Sequence, residues 1–473
     1  MKLMLFAPEL VLLLGSLALF FVSTGKVGGR KARTIALSLA LINVLACLNG
    51  LPLEGSLFYK AYQIDFFSQF IKFVIAMGFA VVLLFSTELK GIEDRVRPEY
   101  YLFLTLSTLG LTMLVSSVEL LTMFIALELS SYSLYILVPM RDDRTGLRMQ
   151  MGSAIKYILF GVVATGVMLF GMSYLFGLTG TTYLAALLPI LHQMMGNPAA
   201  LIAIAMVLGG FFFKLAVFPF HSWVPDVYQG ASNETTAFIA SVPKVAAVAM
   251  LIRLTAMATP EGQALVILLI VLSVCSMFYG NLVALQQTDM KRMLGFSGIA
   301  HAGYVLLGLV TMQEVGFAAS LYYIIGYLVM NLAAFLVICK VSEHGENLAV
   351  DDLGGLYQRS PLLALTLAVS MFSMAGIPPF VGFMGKFMLL TGAYKAGHLS
   401  LVIIAAINTA ISIYYYLSVV RVTYSASPED RPVVVVGNLT KAVSVALVMI
   451  IIAMGLFPDA ILQLATEAVR AIL

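Results

Sequence analysis

Charge is what this sequence most lacks. Asp, Glu, Lys and Arg together make up 11% of its 473 residues, while 61% are hydrophobic and the mean hydropathy is +0.99. A soluble domain carries about a quarter charged residues, so water is excluded as the main solvent of this chain. Cysteine is equally sparse. Cys47, Cys275 and Cys339 each stand alone in or beside an apolar stretch, without the CxxC spacing that zinc or iron–sulfur ligation requires, which predicts neither a metal nor a disulfide here. The phosphate-cradling runs GxxxxGK[ST] and GxGxxG are missing too, so nucleotide binding is not expected. The charges that remain, 27 basic against 24 acidic for a net +3, place the basic ones mainly in short loops. That distribution speaks of membrane topology and not of nucleic acid.

What fills the sequence instead is apolar runs. One crossing of a bilayer takes about 20 apolar residues, so the length accommodates about fourteen spans in an all-α, polytopic membrane protein with almost nothing left for a soluble domain. The runs predict helices over 3–22, 34–53, 65–85, 99–116, 118–140, 152–178, 199–220, 235–258, 264–285, 290–311, 316–339, 361–393, 399–424 and 442–457, within a single transmembrane domain 1–473. No small-residue cleavage site follows the first run, which therefore reads as a retained helix, not a signal peptide. The tail to Leu473 is expected at the surface.

Basic residues alternate between loops. One set holds Lys26, Arg30, Lys31 and Arg33; Lys90, Arg95 and Arg97; Arg141, Arg144 and Arg148; Lys291 and Arg292; Lys340 and Arg359; and Arg421 and Arg431. The other holds little beyond Lys60, Glu261, Glu314 and Lys395. Because positive loops stay cytoplasmic during insertion, both termini are predicted on the non-cytoplasmic side of the cell inner membrane. Two helices look broken, the seventh by Pro219 and Pro225 after Lys214, the twelfth by Gly376-Ile377-Pro378-Pro379. Breaks five helices apart are the pattern of two inverted five-helix repeats, assigned to residues 99–258 and 264–424. The match is imperfect, since Lys214 precedes its break and Lys386 follows its own.

The informative residues are charges inside the spans. Glu128, near the middle of the fifth, stands against an insertion cost of about 2.5–3.5 kcal/mol and needs either a proton or a cationic partner. It reads as a proton-transfer group or as a salt bridge tying two helices together. Lys214 lies among Phe211, Phe212 and Phe213 just before a break, where an apolar setting makes its proton exchangeable. Lys244, after Pro243, and Lys386, in the second half of the twelfth helix, lie equally deep. Lys156 is only a turn or so into the sixth helix, from which it can snorkel to the surface. His301 can relay a proton or serve as a hydrogen-bonded packing residue. His221 and Asp226 read as loop caps. Glu9, Asp65, Lys72, Glu119 and Arg253, near span ends, read as interfacial anchors, and the many tyrosines and methionines as packing and interface residues. A row of groups able to lose and regain protons is the chemistry of proton conduction.

The run from Phe213 to Asp226, FKLAVFPFHSWVPD, closely resembles a segment shared by antiporter-like membrane subunits. Gly376-Ile377-Pro378-Pro379 followed by Gly385-Lys386-Phe387, with Lys291-Arg292 before Ser297-Gly298-Ile299-Ala300-His301-Ala302-Gly303-Tyr304, narrows the resemblance to subunit N of the proton-pumping NADH-quinone oxidoreductase, respiratory complex I. The resemblance covers nearly the whole chain. It implies that Glu128 acts as the charge-pair glutamate of helix five, Lys214 as the lysine it modulates, Lys156 as a helix-six path lysine, Lys244 as the central lysine of helix eight and Lys386 as the lysine at the exit side. It also implies partners, namely the other membrane subunits, neighbouring antiporter-like ones among them, while FMN, iron–sulfur clusters and quinone belong to other chains. Two rival readings are a subunit of a multisubunit cation/proton antiporter or membrane-bound hydrogenase, and a non-conducting membrane scaffold.

Overall fold

The computed structural model describes residues 2–25, 28–142, 148–194, 196–256, 263–425 and 431–473; Lys26, Arg144 and Glu261 of the loop sets lie outside them. Among the described residues, eleven helices are long and apolar enough to cross a membrane. In chain order these are spans 1 (Ala7–Thr24), 2 (Gly29–Gly50), 3 (Phe66–Phe85), 5 (Leu120–Leu137), 6 (Met149–Thr179), 7 (Pro198–Leu215), 8 (Asn233–Ala256), 9 (Gln263–Ala284), 11 (Glu314–Val341), 13 (Leu399–Tyr424) and 14 (Asn438–Leu456). Two further helices of full length, Arg97–Ser116 and Met290–Leu309, are spans 4 and 10. Span 12 is a pair of short helices, Pro361–Ala375 and Val381–Lys395, which brings the count to the expected fourteen.

Local chemistry sets the ends of these helices. Asp65 caps span 3, accepting from the Ser68 amide at 2.7 Å while Ser68 Oγ accepts the Asp65 amide. Asp289 does the same for span 10 through the Arg292 amide. Pro98, Pro198 and Pro361 occupy first turns, where a missing N–H costs nothing. Both predicted breaks are present. Span 7 stops at Leu215 with Ala216 in the left-handed region (φ 70°), and resumes as the short helix Val224–Gly230. Span 12 stops at Ala375 with Gly376 at φ 87°. The two stops are closed alike, Val217 N–H donating to Phe212 O at 2.9 Å and Ile377 N–H to Phe372 O at 3.0 Å.

Spans 8 and 11 pack together at the centre, with 94% of the residues in their apolar stretches buried, against 28–33% for the peripheral spans 1, 2 and 13. Large apolar side chains are exposed over the outside, as a lipid-facing surface requires, while the buried polar and charged groups sit within an otherwise apolar core. A two-stranded hairpin, Gly55–Leu57 with Tyr62–Ile64, closes the connection between spans 2 and 3. The tail is more than a surface segment: Asp459–Arg470 is an amphipathic helix that packs on span 11 and ties Arg470 to Glu314 at 2.8 Å.

Candidate functional site

Three polar clusters hold the six residues singled out in the sequence. The first joins spans 5 and 7. Glu128 is the ninth residue of span 5 and 6% exposed; its Oε1 is buried without a hydrogen-bond partner. Lys214, one residue from the stop in span 7 and 3% exposed, donates not to that carboxylate but to Ser130 Oγ (3.0 Å) and Ser131 Oγ (3.1 Å), one turn beyond it. Ser130 continues to Ser107 Oγ on span 4 at 3.0 Å. Glu128 and Lys214 remain within electrostatic reach of each other. The ammonium is thus held by hydroxyls and not by the carboxylate.

The second cluster lies in spans 8, 10, 11, 12 and 13. Lys244, midway along span 8 and 1% exposed, donates to Tyr327 Oη at 3.3 Å and to Gly298 O at 3.4 Å. Glycine at 298 leaves room for both, because a Cβ there would stand 2.7 Å from Lys244 Nζ and 2.8 Å from Tyr327 Oη and push those side-chain ends aside. One turn along span 10, His301 lies between two phenols, Nδ1 at 2.6 Å from Tyr323 Oη and Nε2 at 2.9 Å from Tyr416 Oη. A neutral imidazole donates through one nitrogen and accepts through the other, so both phenols can be satisfied at once and the arrangement has the geometry of a relay. Tyr327 packs on the same ring, 4.8 Å between centroids, which brings Lys244 to within one side chain of His301.

Lys386 completes this cluster from span 12. Its Nζ donates to Met374 O (3.0 Å) and Ala375 O (3.2 Å), carbonyls set free by the stop at Gly376, and lies 4.8 Å from the centre of the Tyr304 ring. An ammonium at a helix C-terminus meets the negative end of its dipole. In span 7 the Trp223 indole N–H donates to Phe213 O at 3.2 Å, one residue before the carbonyls that correspond to those of 374 and 375. The two lysines differ in what they reach: Lys386 returns to the carbonyls of its own break, and Lys214 turns to the serines of span 5.

Lys156 lies apart from the deep lysines, near the surface to which its place in span 6 lets it snorkel. It is exposed, with 54% of its side chain accessible, and pairs with Asp226 at 2.5 Å. Asp226 is no loop cap, since its other oxygen receives Arg292 at 2.9 Å. Among the described residues no side-chain hydrogen bond joins this third cluster to the other two, or Lys214 to Lys244. His221, also read as a cap, is 5% exposed and stacks between Phe218 and Tyr279.

Sequence reasoning passed over several members. The tyrosines of the second cluster were read as packing, although Tyr323 and Tyr327 fall four apart on one face of span 11, and Ser130 and Ser131 follow Glu128 directly. The reading of Glu9 and Lys72 as interfacial anchors is overturned, because they form a fully buried ion pair at 2.8 Å, with Tyr62 Oη donating to Glu9 at 2.7 Å. Asp65 and Arg253 form a second buried pair, at 2.9 Å, and Glu119 caps span 5 through Thr122.

This arrangement agrees with comparisons to known proteins. Residues 117–412, which hold Glu128, Lys156, Lys214, Lys244, His301 and Lys386, match the family model described as NADH:quinone oxidoreductase/Mrp antiporter, TM. The chain belongs to that family. Within it, "NADH-quinone oxidoreductase subunit N 2" of Opitutus terrae is 52% identical over 95% of this chain and 94% of its own length. The protein of the same name from Syntrophobacter fumaroxidans is 45% identical over 100% of both. Among solved structures, a chain of respiratory complex I from Thermus thermophilus with bound aureothin superposes with a TM-score of 0.84 at 30% identity, covering 97% of this chain and 99% of that one. The matched region takes in both breaks and the buried Lys214, Lys244 and Lys386.

Proposed function

We propose that this chain is the proton-translocating, antiporter-like subunit N of an NADH-quinone oxidoreductase, moving protons along Glu128, Lys214, Lys244, His301 and Lys386. The observation that carries the reading is the second cluster, in which two buried ammonium groups flank an imidazole held between two phenols. Helix packing needs no such sequence of donors and acceptors. Work enters as charge movement: bringing the Glu128 carboxylate toward Lys214 favours the ammonium, and withdrawing it favours release of the proton into the hydroxyl pair. Lys156, exposed and paired with Asp226, which also receives Arg292, takes the role of an entry or coupling charge at the edge of span 6.

The redox chemistry belongs to partner subunits that hold FMN, iron–sulfur clusters and quinone, and other membrane subunits flank this one. The inner membrane is its place, with both termini on the non-cytoplasmic side by the count of basic loops. The closely similar stops at 216 and 376 support residues 99–258 and 264–424 as two copies of one five-span unit, and an odd number of spans makes such copies inverted. The names of the relatives above favour the oxidoreductase over a free-standing cation/proton antiporter or a hydrogenase.

The test is proton pumping by the assembled complex in vesicles carrying Lys214→Ala, with a blot for the subunit. Loss of pumping at normal assembly is expected. Unchanged pumping would leave this chain a scaffold.

A further inference from the structure

At the end of the molecule where the basic loops gather, a cavity of about 630 Å³ opens between the start of span 2, the end of span 3 and the start of span 4. Arg30, Arg33, Lys90 and Arg97 line it, against the carboxylates of Glu88 and Glu343. The guanidinium groups are held in place. Arg33 donates to Ser86 O (3.0 Å) and Leu83 O (3.3 Å), and Arg97 to Ile92 O, Leu89 O and Asp94. Gly29 also lines the cavity, and a Cβ there would meet Arg97 at 2.8 Å, so the glycine is what lets Arg97 close against span 2. Span 2 begins at Gly28 with no side-chain cap, which leaves its first-turn amides unclaimed by any side chain. Fixed cations around an uncapped helix N-terminus make a site for a phosphate-like anion.

A second feature says which anion. Along span 2, Leu37, Leu41, Leu45 and Leu48 continue the face that carries Arg30 and Arg33, and the last three are 47%, 58% and 48% exposed. The cavity therefore sits at the head of an uncovered leucine stripe that runs into the membrane. An acidic protein segment would match the charge and leave the stripe unused.

We propose that this cavity binds the phosphate headgroup of an anionic phospholipid whose acyl chains lie along the leucine face of span 2. Basic pockets between spans at a membrane surface take such headgroups. The site is separate from the lysine clusters, so a complex that pumps normally can lose it.

The experiment uses the whole purified complex. Co-purified phosphatidylglycerol and cardiolipin are counted by mass spectrometry, and the thermal midpoint is read in nanodiscs of phosphatidylglycerol or of phosphatidylcholine. Phosphatidylglycerol should raise the midpoint over phosphatidylcholine. Arg30→Gln, a change at an exposed side chain that leaves folding intact, should weaken anionic-lipid retention about fivefold, the factor equivalent to about 1 kcal/mol. Glu343→Gln should increase retention by removing an opposing charge, and Arg421→Gln, exposed on span 13, should leave it unchanged. Unchanged retention in both Arg30→Gln and Glu343→Gln overturns the proposal. So does inorganic phosphate reproducing the midpoint shift, which would make this a site for a free anion, or a cross-link from the cavity to a neighbouring subunit instead of to lipid.

Discussion

Residue 298 decides whether Lys244 has room. An alanine there sets a methyl 2.7 Å from Lys244 Nζ and 2.8 Å from Tyr327 Oη, and those two atoms must move apart. Overpacking of this kind costs about 1–3 kcal/mol, too little to prevent assembly of a protein held together by so much buried surface. Gly298→Ala should therefore assemble and pump poorly, which vesicle acidification per NADH oxidised measures directly. His301 gives the complementary case. In His301→Phe the hydroxyls of Tyr323 and Tyr416 lose their shared partner, at about 1–3 kcal/mol for each buried group left unpaired. The thermal midpoint should fall and pumping should stop. Normal acidification by this variant would remove His301 from the path and leave it the packing residue that its sequence neighbourhood equally allowed.

At the scale of elements, the two breaks differ by one residue type at equivalent places, and the difference can be measured. Ala216 holds a left-handed φ of 70° that costs a non-glycine residue about 1–2 kcal/mol, so Ala216→Gly should raise the thermal midpoint of the complex. Gly376→Ala should lower it, since its φ is 87° and the added Cβ would stand 3.1 Å from Lys386 Cδ. The connection between spans 11 and 12 carries a pH dependence of its own. Burial pushes the Glu346 carboxyl up, but the amides of His344 and Glu343, at 2.7 and 2.8 Å, and the Ser342 hydroxyl outweigh it and hold the group below its ordinary 4.5. A depressed carboxyl contributes stability above its unfolded value and loses it as pH falls through the folded one. Protection of the Glu343 and His344 amides, read as exchange relative to the intrinsic rate at each pH, should accordingly be high at neutral pH and be lost as the pH falls below the ordinary 4.5 through the folded value. The spans and both breaks were legible because long apolar runs and prolines are local signals. What pairs with what was not. Nothing near Lys386 in sequence says that its ammonium closes the carbonyls of 374 and 375, nor does anything near Lys214 point to serines 83 and 84 residues away. Such partners are chosen by packing between helices.

For the molecule as a whole, the same limit explains why Glu9 and Lys72 were misread. Each stands near the end of an apolar run, where a charge ordinarily reaches the interface, and only the approach of spans 1 and 3 encloses both. The pair joins span 1 to span 3, and Asp65 with Arg253 then joins the head of span 3 to the central span 8. Spans 1–3 are therefore attached to the ten that follow span 4 by fully or nearly fully buried charge, in addition to apolar contact. Breaking one partner of a buried pair strands the other and costs about 3–5 kcal/mol, whereas replacing both with apolar residues of similar size is often neutral. Lys72→Met alone should reduce the amount of assembled subunit on a blot. Glu9→Leu with Lys72→Met should restore it. Pumping by the double variant then separates two roles that a single change confuses: full acidification assigns the pair to holding the N-terminal spans in place, while loss of acidification at restored assembly would extend the proton path into spans 1 and 3.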